Sequence, residues 1–352
     1  MEHHNAYDLH LAAPRLSRAL PAWFDHAGLI PATPALERML ARADRLGSPL
    51  ATAALEAPLA FFGPTLREGT QPPWAALALA GETNGQRAGC WLRIDPVHLR
   101  PDMAQLLLFA PPDFSLTGAE ATALAATVSS CLEEWGELTM PHPTRWYLKL
   151  KNSTPLATVP VERVAGRDTQ GRLPEGEAGR AWRTRINEIQ MLLFEHPVNQ
   201  QREQQGLPAI NSIWPWGWGQ TPRVAEPRYR SVCAAAPIVR GLARLGGVSA
   251  VVASESLDDW LAQGLPAGEH LIWLDLDNAR AARDPEVWGA WLESLELKWF
   301  ADLADLLQRN RLRSLVLHSG DGQAWRMTRR ALRRFWRRSR PLPNRLRLEV
   351  EA

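Results

Sequence analysis

Short apolar runs alternate with helical stripes along most of the chain. Residues 34 to 46, PALERMLARADRL, put Leu36, Met39 and Leu40 on one helix face, and ATAALEAPLAFFG adds a second helical stretch ending at Gly63. WAALALA, without a polar position, has the texture of a buried strand. Between 85 and 151, CWLRIDPVHL, AQLLLFA and the alternating RWYLKLK predict strands, and SLTGAEATALAATVSSCLEEWG predicts a helix entered through Ser115 or Thr117. Strands around one helix suggest a small α+β unit. A connection carrying Pro155, Pro160 and Pro174 spans 152 to 181. Beyond it, AWRTRINEIQMLLFEH, APIVRGLARLGG and EVWGAWLESLELKWFADLADLLQRN predict helices, and SAVVA, HLIWLDL and SLVLHS predict strands. In the last of these helices Trp288, Trp291, Leu292, Leu295, Trp299 and Phe300 fall at core-packing spacing. Such alternation predicts an α/β fold with a mainly parallel sheet. The expected division is 1–85 for the first part of the core, 86–158 for an inserted α+β domain and 159–352 for the rest.

Two stretches stand apart. PAINSIWPWGWGQTP crowds Trp214, Trp216, Gly217 and Gly219 into a turn expected to use positive φ, serving either as a packed corner or as the wall of a cleft. WRMTRRALRRFWRRSRP places Arg326, Arg329, Arg330, Arg333, Arg334, Arg337 and Arg338 at three- and four-residue intervals, predicting a basic amphipathic helix stopped near Pro341. That face suits solvent or an anionic partner.

Composition narrows the classes. At 352 residues, 45% hydrophobic and 22% charged, the chain is globular and long enough for a large core. It has no apolar run of membrane-spanning length and no basic leader, so a cytoplasmic protein with no membrane partner is expected. Three scattered cysteines fit a reducing compartment, without a disulfide frame or paired-cysteine metal site. A net charge of +2 gives no polyanion-binding balance, so nucleic acid is not the expected partner. His3, His4 and His10 read as a flexible terminus.

The run HPVNQQREQQGLPAINSIWPWGWGQTP, followed by RSVCAAAPIVRGLARLGGV, resembles the archaeal-type cofactor-independent phosphoglycerate mutases of the alkaline phosphatase superfamily. The likeness is specific over 195 to 247. ATPALERMLARA is similar to the family's early helix, and SLTGAEATALAA with RWYLKLK to its inserted domain. WLRIDPVHLRPDM, PHPTRWYLKL and NEIQMLL look closer still to a bacterial group named after a regulator of pathogenicity factors, type E. The resemblance implies an alkaline phosphatase-like core with helices on both faces, two divalent metals and a phosphoryl-carrying serine.

The positions that correspond to that chemistry carry other residues. DLHLAAPRL has alanines where the first ligand is expected, the Ser-Asp pair falls at Ala54 and Leu55, and DNARA keeps Asp277 but has Ala281 for a histidine. HSGDGQAW puts Asp321 and Gly322 at the last Asp-His pair. No catalytic residue, metal or cofactor is therefore expected. The resemblance leaves ligand-binding candidates at His196, Asn199, Arg202, Asn211, Trp214, Trp216, Gly217, Gly219 and Arg240. The expected function is a degenerate, regulatory or binding protein taking an anionic small molecule or a protein partner; if the tryptophan–glycine loop frames a cleft, Arg202→Ala abolishes anion binding and spares stability. Two alternatives stay open: a metal-dependent phosphomutase or phosphatase using His270, His318, Asp275 and Asp277, and a nucleic-acid-associated factor using the C-terminal arginines.

Overall fold

The computed structural model describes residues 7–16, 31–50, 55–66, 70–83, 88–103, 105–252, 254–275 and 284–342. Two compact units divide the chain, one made of Met1–Pro64 with Val224–Ala352 and the other of Thr65–Arg223. The second unit begins earlier and ends later than the 86–158 insert expected from the sequence.

The first unit opens with β1 (Tyr7–Ala12) and β2 (Asp44–Gly47). The second unit carries β3 (Cys90–Asp102), β4 (Gln105–Phe109), β5 (Gly136–His142), β6 (Arg145–Leu150) and β7 (Ser212–Gln220). The chain then returns to the first unit with β8 (Ser231–Ala234), β9 (Ser249–Val251), β10 (Gly268–Trp273), β11 (Leu312–His318) and β12 (Gln323–Thr328).

In the first unit seven strands form one sheet in the order β2-β12-β11-β1-β10-β8-β9. The five from β11 to β9 are parallel, and β12 and β2 close one side antiparallel. This is the α/β, mainly parallel core that the alternation of elements predicts. Because side chains alternate along a strand, Tyr7, Leu9 and Leu11 of β1 share a face with Leu315 and Leu317 of β11 and Trp325 and Met327 of β12. The helices Pro34–Arg42, Leu257–Ala262 and Pro285–Leu295 bury Leu36, Met39, Trp260, Trp288 and Leu292 against that face. The other face receives Phe61, from the short helix Ala57–Phe62, against Trp273 and His318. Helices thus lie on both faces.

The second unit is a five-stranded sheet, β4-β3-β6-β5 with β7 added alongside β3, and its core packs the helices Gly118–Leu132 and Gly176–Phe194. Thr117 is the N-cap: its hydroxyl accepts from the Glu120 N–H while Glu120 accepts from the Thr117 N–H, a capping box.

Several elements differ from the sequence reading. WAALALA is part of a helix, Trp74–Glu82, buried on all sides from Trp74 to Gly81, and an all-apolar run carries no period to separate helix from strand. The helix at Pro34 stops at Arg42, and Asp44–Gly47 turns into an edge strand. Glu296–Phe300 forms a π-helical turn between Pro285–Leu295 and Leu303–Gln308, so the long helix is not continuous. The basic C-terminal helix shrinks to Arg329–Leu332, because Trp325 and Met327 alternate with Arg326 in β12. His10 belongs to a central strand and is buried, not part of a free terminus. The tryptophan–glycine turn is strand β7, antiparallel to β3 from Val97↔Ser212 to Cys90↔Gln220.

Candidate functional site

The residues singled out around β7 are held by their own unit. The Asn199 amide donates to the carbonyls of Leu193 and Ile210 at 2.8 and 2.9 Å and accepts from the Ile210 N–H at 2.8 Å. Arg202, buried, donates to the Pro208 and Ser115 carbonyls and pairs with Glu120 at 2.7 Å. Asn211 copies a strand residue, accepting from the Leu99 N–H and donating to its carbonyl. His196 caps the helix Pro197–Gln204 by accepting from the Val198 N–H. Trp214 donates to the Val159 carbonyl and Trp216 to Asp95, while the Arg93 guanidinium sits 4.6 Å over the Trp216 ring. Gly217 has φ +72° and Gly219 φ +150°; a Cβ at Gly217 would lie 2.9 Å from the Ala75 nitrogen, and one at Gly219 2.6 Å from Pro73. The glycines therefore let the helix Trp74–Glu82 approach the strand closely. Arg240, in the other unit, donates to the Ala234 and Ala235 carbonyls.

The positions that the family resemblance sets against metal chemistry are partly described. Leu55 and Gly322 have no side-chain ligand atom. The Asp321 carboxylate accepts from the Ser319 hydroxyl at 2.7 Å and from the Gln323 N–H at 3.1 Å, closing the turn between β11 and β12. Asp275 pairs with Arg15 at 3.3 Å. Ala54, Asp277 and Ala281 lie outside the described residues, as do His3 and His4. His270 and His318 do not converge. His270 is packed between Tyr7 and Trp260 on the core face, its ring nitrogens against the Ser231 hydroxyl and the Pro266 carbonyl. His318 lies on the opposite face.

That opposite face carries a cavity of about 690 Å³ within the first unit. Its floor comes from four neighbouring strands: Asp8 and His10 of β1, Glu269 of β10, Ser314, Val316 and His318 of β11, and Arg326 of β12. Arg228, Arg313, Tyr229 and Phe61 are among the other residues that line it. Parallel strands covered on both faces are usually apolar throughout, so alternating polar residues on central strands mark this face as different in kind.

Two imidazoles stand at the centre. His10 Nδ1 lies 3.1 Å from His318 Nε2, the rings stack at 5.4 Å, and the Ser48 hydroxyl is 2.8 Å from His318 Nδ1. Glu269 is 3.7 Å from His10 Nε2, and Arg228 is 3.4 Å from His10 Nδ1. Burial, reinforced by Arg228 and Arg326, lowers the His10 pKa to about 4; burial, His10 and Arg228 lower that of His318 to about 3. Both rings are neutral at neutral pH, and one N–H bridges them. The acidic groups are already matched: Asp8 accepts from Ser314 at 2.7 Å and pairs with Arg313 at 3.1 Å, and Glu269 pairs with Arg228 at 3.0 Å. With three arginines and two carboxylates in the lining, one positive charge is in excess.

Of these residues the sequence reading reached only His10, as terminus, His318, as an alternative ligand, and Arg326, as a helix face. The available signal was the period-two polarity of YDLHLA and LRSLVLH inside otherwise apolar strands.

No protein-family model matches the chain. A probable 2,3-bisphosphoglycerate-independent phosphoglycerate mutase from Geobacter sulfurreducens is 30% identical over 101 residues, 27% of this chain and 25% of that protein. A mutase of the same description from Methanothrix thermoacetophila is 33% identical over 73 residues, 21% of this chain and 18% of its own length. The chain is a partial homologue of these phosphoglycerate mutases. The matched stretch spans about a quarter or less of these mutases' length. In fold, the PH0037 protein of Pyrococcus horikoshii aligns over 92% of this chain and 87% of its own, with a TM-score of 0.57 and 14% identity.

Proposed function

We propose that this phosphoglycerate mutase-like protein acts by binding, taking an anionic ligand in a regulatory role, and does not transfer phosphoryl groups. What supports this reading is the set of residues that the resemblance places at the family's chemical positions. Two-metal phosphoryl transfer needs oxygen and nitrogen ligands around paired cations and a nucleophile beside them. Here a leucine and a glycine occupy two of those positions, alanines occupy others, and Asp321 is held inside a hairpin turn. The residues present do not fit a two-metal centre. Elemental analysis of the mildly purified full chain tests this: less than a stoichiometric amount of zinc or manganese is expected, and two retained equivalents per chain would overturn it.

A further inference from the structure

Apart from His318, which ends β11, the lining of the sheet-face cavity of the first unit is none of the positions that the mutase resemblance sets against metal or serine chemistry. Its chemistry is specific. Arg326, an exposed residue, reaches it from β12, and among the described residues no carboxylate pairs with it. Arg228 stacks on Tyr229 at 5.2 Å and borders both His10 and Glu269. The imidazole pair presents ring edges that donate or accept according to tautomer, and Ser48 orients His318 from beside the lining. Guanidinium groups lining a partly desolvated cavity are the groups that hold an oxyanion. A cation is disfavoured there by Arg228, 3.4 Å from the His10 ring nitrogen.

We propose that this cavity is a binding site for a small oxyanion, phosphate or carboxylate, anchored by Arg326 and Arg228 and oriented by the His10–His318 pair. The proposal rests on the binding reading above and gives it a place. Arg313 and Asp8 form the outer charge pair of the site, and Phe61 and Val316 supply its apolar wall. At about 690 Å³ the cavity exceeds the needs of a bare ion, so the oxyanion is one group of a larger metabolite.

Isothermal titration of the full-length protein with inorganic phosphate, and separately with malonate, tests it. Wild type is expected to bind at least one of the two saturably, with one equivalent per chain. Arg326→Ala should weaken that binding by about tenfold or more with an unchanged melting temperature, since the side chain is exposed. Arg330→Ala, which removes the same charge from an exposed position outside the cavity lining, should leave it unaltered. Preference between the probes assigns the ligand to phosphorylated compounds or to carboxylates. Absence of saturable binding by wild type, or equal affinity in Arg326→Ala, would overturn the proposal. Failure of the binding reading appears separately, as metal-dependent mutase turnover, and does not touch this titration.

Discussion

Arg202 donates to two backbone carbonyls and to Glu120, so its guanidinium is tied on three sides. Removing it leaves the Pro208 and Ser115 carbonyls without a donor and deprives Glu120 of the partner that, with the Thr117 hydrogen bonds, holds its carboxyl below the usual range against the opposing effect of burial. If the tryptophan–glycine segment frames a cleft, Arg202→Ala spares stability and abolishes anion binding; if it is a packed corner, the change acts through stability, and these contacts favour the second outcome. Breaking this pair, with the Arg202 side buried, costs up to about 3 kcal/mol. Thermal denaturation should show Arg202→Ala melting several degrees below wild type while phosphate titration is unaltered; an unchanged melting temperature with lost phosphate binding would favour the cleft instead. Which residues are unusual was legible in the sequence. What their polar atoms touch was not, because Arg202 meets Ser115 and Glu120 and Asn211 meets Leu99, partners remote in sequence.

At the scale of elements, β1 and β11 bring His10 and His318 together by register, Ala12 facing His318 and His10 facing Val316. The pair makes a pH-dependent contribution to stability whose sign follows from the lowered pKa values. Between the ordinary 6.5 and about 4 for His10 or about 3 for His318, the unfolded imidazoles hold protons that the folded ones do not. Stability from this source is therefore complete above about pH 6.5 and is lost as pH falls through that window. Melting temperatures from pH 7.5 down to 4.5 should decline more steeply for wild type than for His318→Gln; parallel profiles would contradict the account. Element type was readable where period and length agreed, as in the helix Gly118–Leu132 and strands β10 and β11. It was not readable where they conflicted. Arginines at three- and four-residue spacing imitated a helix across Arg326, although QAWRMT alternates as a strand does. Tryptophan and glycine imitated a turn in β7, although its positive-φ glycines serve close packing instead.

For the whole molecule, the parallel core was foreseeable because buried central strands need apolar runs, and HLIWLDL and SLVLHS supply them. The polar face was hidden because its residues come from strands far apart in sequence, with Asp8 beside Ser314 and Glu269. A phosphoglycerate mutase-like chain thus carries a cationic cavity on a sheet face, and the function proposed for it is binding without phosphoryl transfer. The most direct measurement is a coupled assay for interconversion of 2- and 3-phosphoglycerate by the full-length protein, with magnesium, manganese or zinc supplied in turn. The account predicts no turnover above the enzyme-free control with any of them; turnover that appears with a metal and disappears on chelation would contradict it.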